Sequence, residues 1–245
     1  MQKKIKTKPA RSAKPARQTD ALAALANGAA HHGVAGQAGM MAAAPGDGSI
    51  RNICVYCGSG KGRNPAYARA ATTLGQTMAS AGIGLVYGGG GLGLMGEVAR
   101  SVLDHGGRVT GIIPTFLSSK EKMLQDVDEL IITKDMHERK RLMFERSDAF
   151  VALPGGIGTL EELVEQLTWA QLGQHKKPIV LANIDRFWEP MLALLAHMRD
   201  EAFIRAGLEV GFIVVDSADK IVPAILKASK GHALAGDDAA IAAKF

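Results

Sequence analysis

No apolar run in this 245-residue chain approaches the ~20 residues that a membrane-spanning helix needs, so no membrane role is expected. The basic N-terminal stretch lacks an apolar core followed by a small-residue cleavage site. That argues against a secretory signal and for a cytoplasmic protein. Only two cysteines occur, Cys54 and Cys57, and no second pair exists to complete a zinc site. Three residues apart within an apolar strand, they are expected to point to opposite faces and stay reduced. The P-loop pattern G-x-x-x-x-G-K-S/T, the G-x-S-x-G elbow and the H-E-x-x-H pair are all missing. Most of the chain also lacks a charge excess. Residues 1–48 hold seven Lys and Arg against Asp20 and Asp47, an excess of five that equals the +5 of the whole chain. Residues 49–245 are therefore near neutral, which leaves no electrostatic basis for nucleic-acid binding by the globular part.

Glycine is plentiful, with 29 residues, and its placement organises the chain. Residues 1–48 are rich in Ala, Gly, Lys and Arg and poor in large apolar side chains. Such a tail cannot bury enough surface to offset its ordering entropy, so disorder is expected there. From residue 49 the pattern changes to apolar strands alternating with helices. Strands are expected over 52–57, 83–87, 108–114, 129–133, 149–153, 178–181 and 212–215. Helices are expected from Pro65 (capped by Asn64) to about Gly82, and over 94–104, 136–146, about 159–172, 188–199 and 218–227. Residues 115–128 read as a surface segment, and the chain beyond 230 as a frayed tail. The expectation is an α/β domain over 49–230: a Rossmann-like, doubly wound parallel sheet with helices on both faces.

Three glycine-rich loops (58–62, 88–96 and 155–158) each follow a strand directly. In a parallel sheet they converge on one edge, outside the carboxyl ends of the strands, where ligands bind. In the last loop, Pro154 stops the strand, and Gly155, Gly156 and Gly158 allow close approach to a ligand. Thr159 reads as the N-cap of a helix with Glu161 and Glu162 in its first turn. A helix N-terminus behind a glycine turn is an anion cradle, which points to a phosphate. Residues 91–96 also fit G-x-G-x-x-G, but after the second strand, and no acid ends the third strand to hold a ribose hydroxyl. An NAD-type oxidoreductase is thus poorly supported. Arg139 and Lys140 lie near the start of the 136–146 helix, where cations oppose the helix dipole, so an anion is expected nearby. The planar guanidinium of Arg139 makes it the better clamp.

Met136-His137-Glu138-Arg139-Lys140 followed by Pro154-Gly155-Gly156-Ile157-Gly158-Thr159-Leu160-Glu161-Glu162 resembles the paired signature of the LONELY GUY (LOG) family. Those proteins are cytokinin riboside 5'-monophosphate phosphoribohydrolases, which release free base and ribose 5-phosphate from nucleoside 5'-monophosphates. The resemblance extends over about residues 52–227 and implies a homodimer or higher homo-oligomer, with no metal or cofactor. It places Arg139 and Glu162 at catalytic positions. Gly58, Ser59, Gly89, Gly90, Gly91 and Met95 fall at substrate-binding positions, as do Glu121, Lys140 and Thr168. So do Gly155, Gly156, Gly158, Thr159 and Glu161 of the last loop, although Glu161 projects ~100° away from Glu162 and suits a structural or capping role. Glycosidic cleavage builds positive charge on the sugar, which a fixed carboxylate such as Glu162 would stabilise. Proteins of this family have been labelled lysine decarboxylases, yet no lysine here is placed as a Schiff-base site. A non-catalytic nucleotide or cofactor carrier on the same fold, such as the molybdenum-cofactor carriers, is a further alternative. Adenine and N6-prenylated adenine both remain open as the base.

Overall fold

The computed structural model describes residues 49–118, 123–204, 207, 209 and 211–234. The expectations for residues 1–48, for Glu121 and for residues 235–245 fall outside them. Seven parallel strands form one sheet: β1 (Asn52–Tyr56), β2 (Gly84–Tyr87), β3 (Val109–Pro114), β4 (Glu129–Thr133), β5 (Ala149–Ala152), β6 (Ile179–Ala182) and β7 (Ile213–Val215). Their order in space is β4-β3-β2-β1-β5-β6-β7. The chain builds outward from β1 on one side, then returns to place β5 against β1's other edge. The crevice where such a sheet reverses direction is where its ligands sit. Here that crevice lies between β1 and β5, in register from Ile53 opposite Ala149 to Tyr56 opposite Ala152.

The inner strands β1, β2, β5 and β6 are buried on both faces and divide their side chains by simple alternation. Ile53, Val55 and Cys57 enter one apolar cluster, while Cys54 and Tyr56 enter the other. The first cluster is closed by helices α1 (Pro65–Ser80) and α2 (Gly93–Asp104), through Leu74, Met78, Val98 and Val102. The second is closed by α4 (Met136–Glu145), α5 (Ile157–Gln171) and α6 (Glu189–Asp200), through Met143, Leu163, Leu167 and Leu195. The two thiols are free, buried and on opposite faces, as expected. Burial pushes the Cys54 thiol up to about 12, and the nearby charge of Glu162 adds to that shift. It is therefore protonated and inert at neutral pH.

Asn64 caps α1, its side chain accepting from the Ala66 N–H at 2.9 Å, and Pro65 occupies the first helical position. The same amide donates to Asp185, tying the start of α1 to the turn after β6. Some boundaries differ from expectation. Residues 115–118 form one short helix, α3 (Thr115–Ser118), before the chain crosses the glycine loop after β2. There Gly90 bridges Met123, and Gly89 accepts from the Leu124 N–H at 3.3 Å. A 3-10 turn at Ile184–Arg186, with Asp185 and Arg186 both at positive φ, precedes α6, which starts at Glu189, one residue from expectation. The last helix, α7 (Ile221–Leu234), runs past the expected end at Lys227, since Ile221, Val222 and Ile225 pack into the first cluster and nothing breaks the helix behind them.

Leu74, on α1, has no exposed surface and belongs to the first apolar cluster. Leu74→Ala is expected to cost about 2–5 kcal/mol of folding free energy, read as a lower urea midpoint with an unchanged denaturant slope.

Candidate active site

The three glycine loops meet, and backbone hydrogen bonds join them. The Gly58 carbonyl accepts from the N–H groups of Leu94 (3.0 Å) and Met95 (3.3 Å), while its own N–H donates to the Pro154 carbonyl at 3.1 Å. Gly93 makes the first contact possible. It sits at φ 60°, and a Cβ there would land on the backbone of Ser59. The open N–H groups of α2 are thus already answered by the loop after β1.

The start of α5 is different. Its N-cap is Gly156, with no side chain to bond the first N–H groups, and Gly156, Ile157 and Gly158 are all exposed. An uncapped helix start of this kind is an anion site. This corrects the expectation that Thr159 is the N-cap. Thr159 is the third helical residue, buried, with its side chain folded over Gly155. The early start is favoured because it adds backbone bonds, beginning with Leu160 N–H to Gly156 O at 3.0 Å. It also moves Glu161 and Glu162 out of the first turn, which holds no acid.

Arg139 reaches the same place from α4. That helix is capped by Asp135, which accepts from the Glu138 N–H at 2.8 Å, while the Glu138 side chain accepts from the Lys134 N–H at 2.9 Å. The backbone bond from Glu138 holds the Asp135 carboxyl below its usual range. Acids therefore serve the positive end of the helix, and Arg139 is one step past the first turn, not opposed to the dipole as its sequence position suggests. Arg139 is only 8% exposed. Its Nε–H donates to the Ile112 carbonyl at 3.1 Å, and Nη1 donates to Glu162 Oε1 at 2.8 Å. Nη2 lies over Gly88, where a Cβ would collide with it, and Met95 Sδ flanks the same point.

Glu162 is 9% exposed. Burial raises its carboxyl pKa, and the charge and hydrogen bond of Arg139 oppose but do not cancel that shift. The Glu162 charge is felt in turn by Cys54 and Tyr56 on the underlying strand, whose pKa values rise chiefly from burial. Lys140, next to Arg139, donates to Glu161 at 2.6 Å and to Glu165 at 3.1 Å. Burial lowers its ammonium pKa, and the two carboxylates more than reverse that effect.

The residues expected at substrate-binding positions thus fall into groups. Gly58, Ser59, Met95, Gly155, Gly156, Gly158 and Thr159 lie on or beside the converging loops, and Gly89, Gly90 and Gly91 form the neighbouring strand end. Gly91 is pinned from behind, its carbonyl accepting from Arg100 Nη1 at 2.9 Å. Glu161 faces Lys140. Thr168 is exposed, donates to the Val164 carbonyl at 2.7 Å, and stands eleven residues along α5 from Ile157, about 16 Å of helix. Two participants escaped the sequence reading. Gly88 gives no signal beyond being the first residue after β2, while Glu165 was legible as the i+4 partner of Glu161.

A parallel sheet with an open helix N-terminus and a buried arginine–carboxylate pair at its switch point is a Rossmann-like α/β protein with a candidate anion site. Solved structures agree on the fold. A molybdenum cofactor binding protein from Rippkaea orientalis superposes with TM-score 0.56 at 24% identity, over 73% of this chain and 97% of its own. The Moco carrier protein of Chlamydomonas reinhardtii gives 0.56 at 22% identity, over 75% and 99%. Sequence is more specific. Residues 95–225 match the family described as "Possible lysine decarboxylase". A cytokinin riboside 5'-monophosphate phosphoribohydrolase, LOG, of Oryza sativa subsp. japonica is 49% identical over 71% of this chain and 69% of its own. One from Arabidopsis thaliana is 44% identical over 71% and 76%. The chain belongs to the LOG family.

Arg139→Met would leave the Glu162 carboxylate buried without a counter-ion, an arrangement that costs about 3–5 kcal/mol when charged. A carboxyl whose folded pKa is raised favours the fold below its unfolded pKa and loses that contribution as pH climbs through the folded value. The variant is therefore expected to be weakest at pH 7–8 and to recover toward wild type as pH falls below about 5. Urea denaturation across that range checks both the loss and its direction.

Proposed function

We propose that the protein hydrolyses the N-glycosidic bond of adenosine 5'-monophosphates, N6-modified or plain, to free base and ribose 5-phosphate. The observation that carries this reading is the buried 2.8 Å Arg139–Glu162 pair beside the uncapped start of α5. The N–H groups of Ile157, Gly158 and Thr159 bind the 5'-phosphate, where helix dipole and free donors act together. That fixes the sugar over Glu162. As the bond to the base lengthens, positive charge develops on the ribose, and the Glu162 carboxylate either stabilises it directly or orients the attacking water. Arg139 holds the carboxylate in one direction and contacts the sugar-phosphate with the guanidinium face not spent on Ile112 and Glu162. The relatives' names, which are those of cytokinin riboside 5'-monophosphate phosphoribohydrolases, support the same reaction class.

Two alternatives fit less well. A decarboxylase working through a lysine imine needs a lysine that readily becomes neutral, and two carboxylates hold Lys140 in its charged form. A passive carrier has no use for a desolvated ion pair, which is costly to bury unless something is gained at the site. We further infer a homodimer, supported by the exposed Ile157, Val164 and Leu172, spaced along one side of α5. Thr168 lies on that stripe, so a substrate contact for it would be made across the dimer. A cytoplasmic location belongs to the same reading, and among the described residues no helix is long and apolar enough to cross a membrane.

Glu162→Gln is expected to abolish nearly all base release from AMP and N6-isopentenyl-AMP, by chromatography, while calorimetry still detects nucleotide binding. In the wild type, the acidic limb of kcat/KM should lie above the ordinary glutamate value of ~4.3, since the carboxylate form is required and its pKa is raised. A limb at or below that value would remove Glu162 from the role. Deleting residues 1–48 should leave turnover intact, with a several-fold loss counting against a separate tail.

A further inference from the structure

Lys140 faces two acids from one helix. Glu161 and Glu165 are four residues apart on α5 and therefore on the same side of it. They are not equivalent. Glu161 is 53% exposed, whereas Glu165 is 20% exposed and Lys140 itself 15%. The second oxygen of Glu165 is buried and has no hydrogen-bond partner among the described residues. Together with the adjoining pair of Arg139 and Glu162, the cluster sets three carboxylates against two cations. That surplus negative charge lies on α5 within about two turns of the helix start assigned above to the phosphate.

One ammonium does not need two carboxylates, and the two bonds differ in what breaking them costs. An exposed carboxylate exchanges its ion pair for water at little expense. A largely buried ammonium left without any partner loses much more. We propose that Glu165 is the fixed counter-ion of Lys140, and that its presence frees Glu161 to leave the ammonium and turn toward a ribose hydroxyl of the bound nucleotide. Glu165 is then a positioning residue. It keeps Lys140 charged and in place through the exchange, so the departure of Glu161 leaves the ammonium paired. The idea rests on the nucleotide-hydrolase reading above. It adds a specific consequence: without Glu165, Glu161 becomes the sole partner of Lys140 and is held away from the substrate.

The test is a double-mutant cycle with the near-isosteric Glu165→Gln and with Lys140→Met, which removes the ammonium that would capture Glu161. Glu165→Gln alone should raise the KM for AMP about tenfold, with kcat changed less than about twofold. In the Lys140→Met background the same change should have little further effect on KM, because no ammonium is left to capture Glu161. Calorimetric Kd values for AMP carry the same comparison irrespective of turnover. A Glu165→Gln effect of equal size in both backgrounds, or a fall in kcat together with the melting temperature, overturns the proposal and makes Glu165 structural. Absence of base release from wild-type protein on AMP and N6-isopentenyl-AMP would instead sink the hydrolase reading, and the AMP Kd cycle would still decide the role of Glu165.

Discussion

The ion pair between Arg139 and Glu162 is the constraint to which its surroundings conform. A guanidinium and a carboxylate taken out of water repay that cost only when their geometry is good and their remaining hydrogen-bonding capacity is met. Each neighbour contributes to that condition. Strand β3 offers the Ile112 carbonyl to Nε–H, and Gly88, the first residue after β2, lacks a Cβ so that Nη2 has room. Helix α4 is capped by acids, so that Arg139 can occupy its second turn without an electrostatic penalty. The result is a carboxylate that points one way, is poorly solvated and has a raised pKa. A solvated glutamate would have none of these properties.

The same edge shows how two similar helix starts acquire different roles. Both α2 and α5 follow a strand and a glycine turn. The first is filled by a carbonyl from the protein itself, and the second stays open to solvent. Hydrogen bonding through Gly58 then makes the loops after β1, β2 and β5 one unit, so the open helix start is held relative to Arg139 by backbone rather than by flexible side chains. Rigid placement of this kind is what allows a site to stabilise charge at the moment it develops.

Much of this was legible from residue pattern. Near-continuous apolar runs alternating with helical patterns point to a parallel sheet, and all seven strands were placed within a residue or two. The opposite facing of Cys54 and Cys57 followed from strand alternation alone. The convergence of the loops followed from topology. What stayed hidden depends on atoms far apart in sequence. Thr159 looked like a cap because it is a good capping residue, but the backbone of Gly156 and Ile157 could continue the helix and did. The dipole argument expected an anion beside Arg139, and Glu162 lies there, but the cause was incomplete, since Asp135 and Glu138 had already satisfied the helix start. The role of Gly88 exists only because α4 crosses the end of β2, which no local pattern announces.

Residues 91–96 spell a dinucleotide fingerprint, and in this fold its backbone donors grip the Gly58 carbonyl. A glycine fingerprint records that something must come close to a helix start, and is silent about what comes. Here the visitor is the chain's own first loop, so the motif has become an internal joint. The protein is its own ligand at one of its two glycine-loop sites, and that self-occupancy leaves the other as the open one.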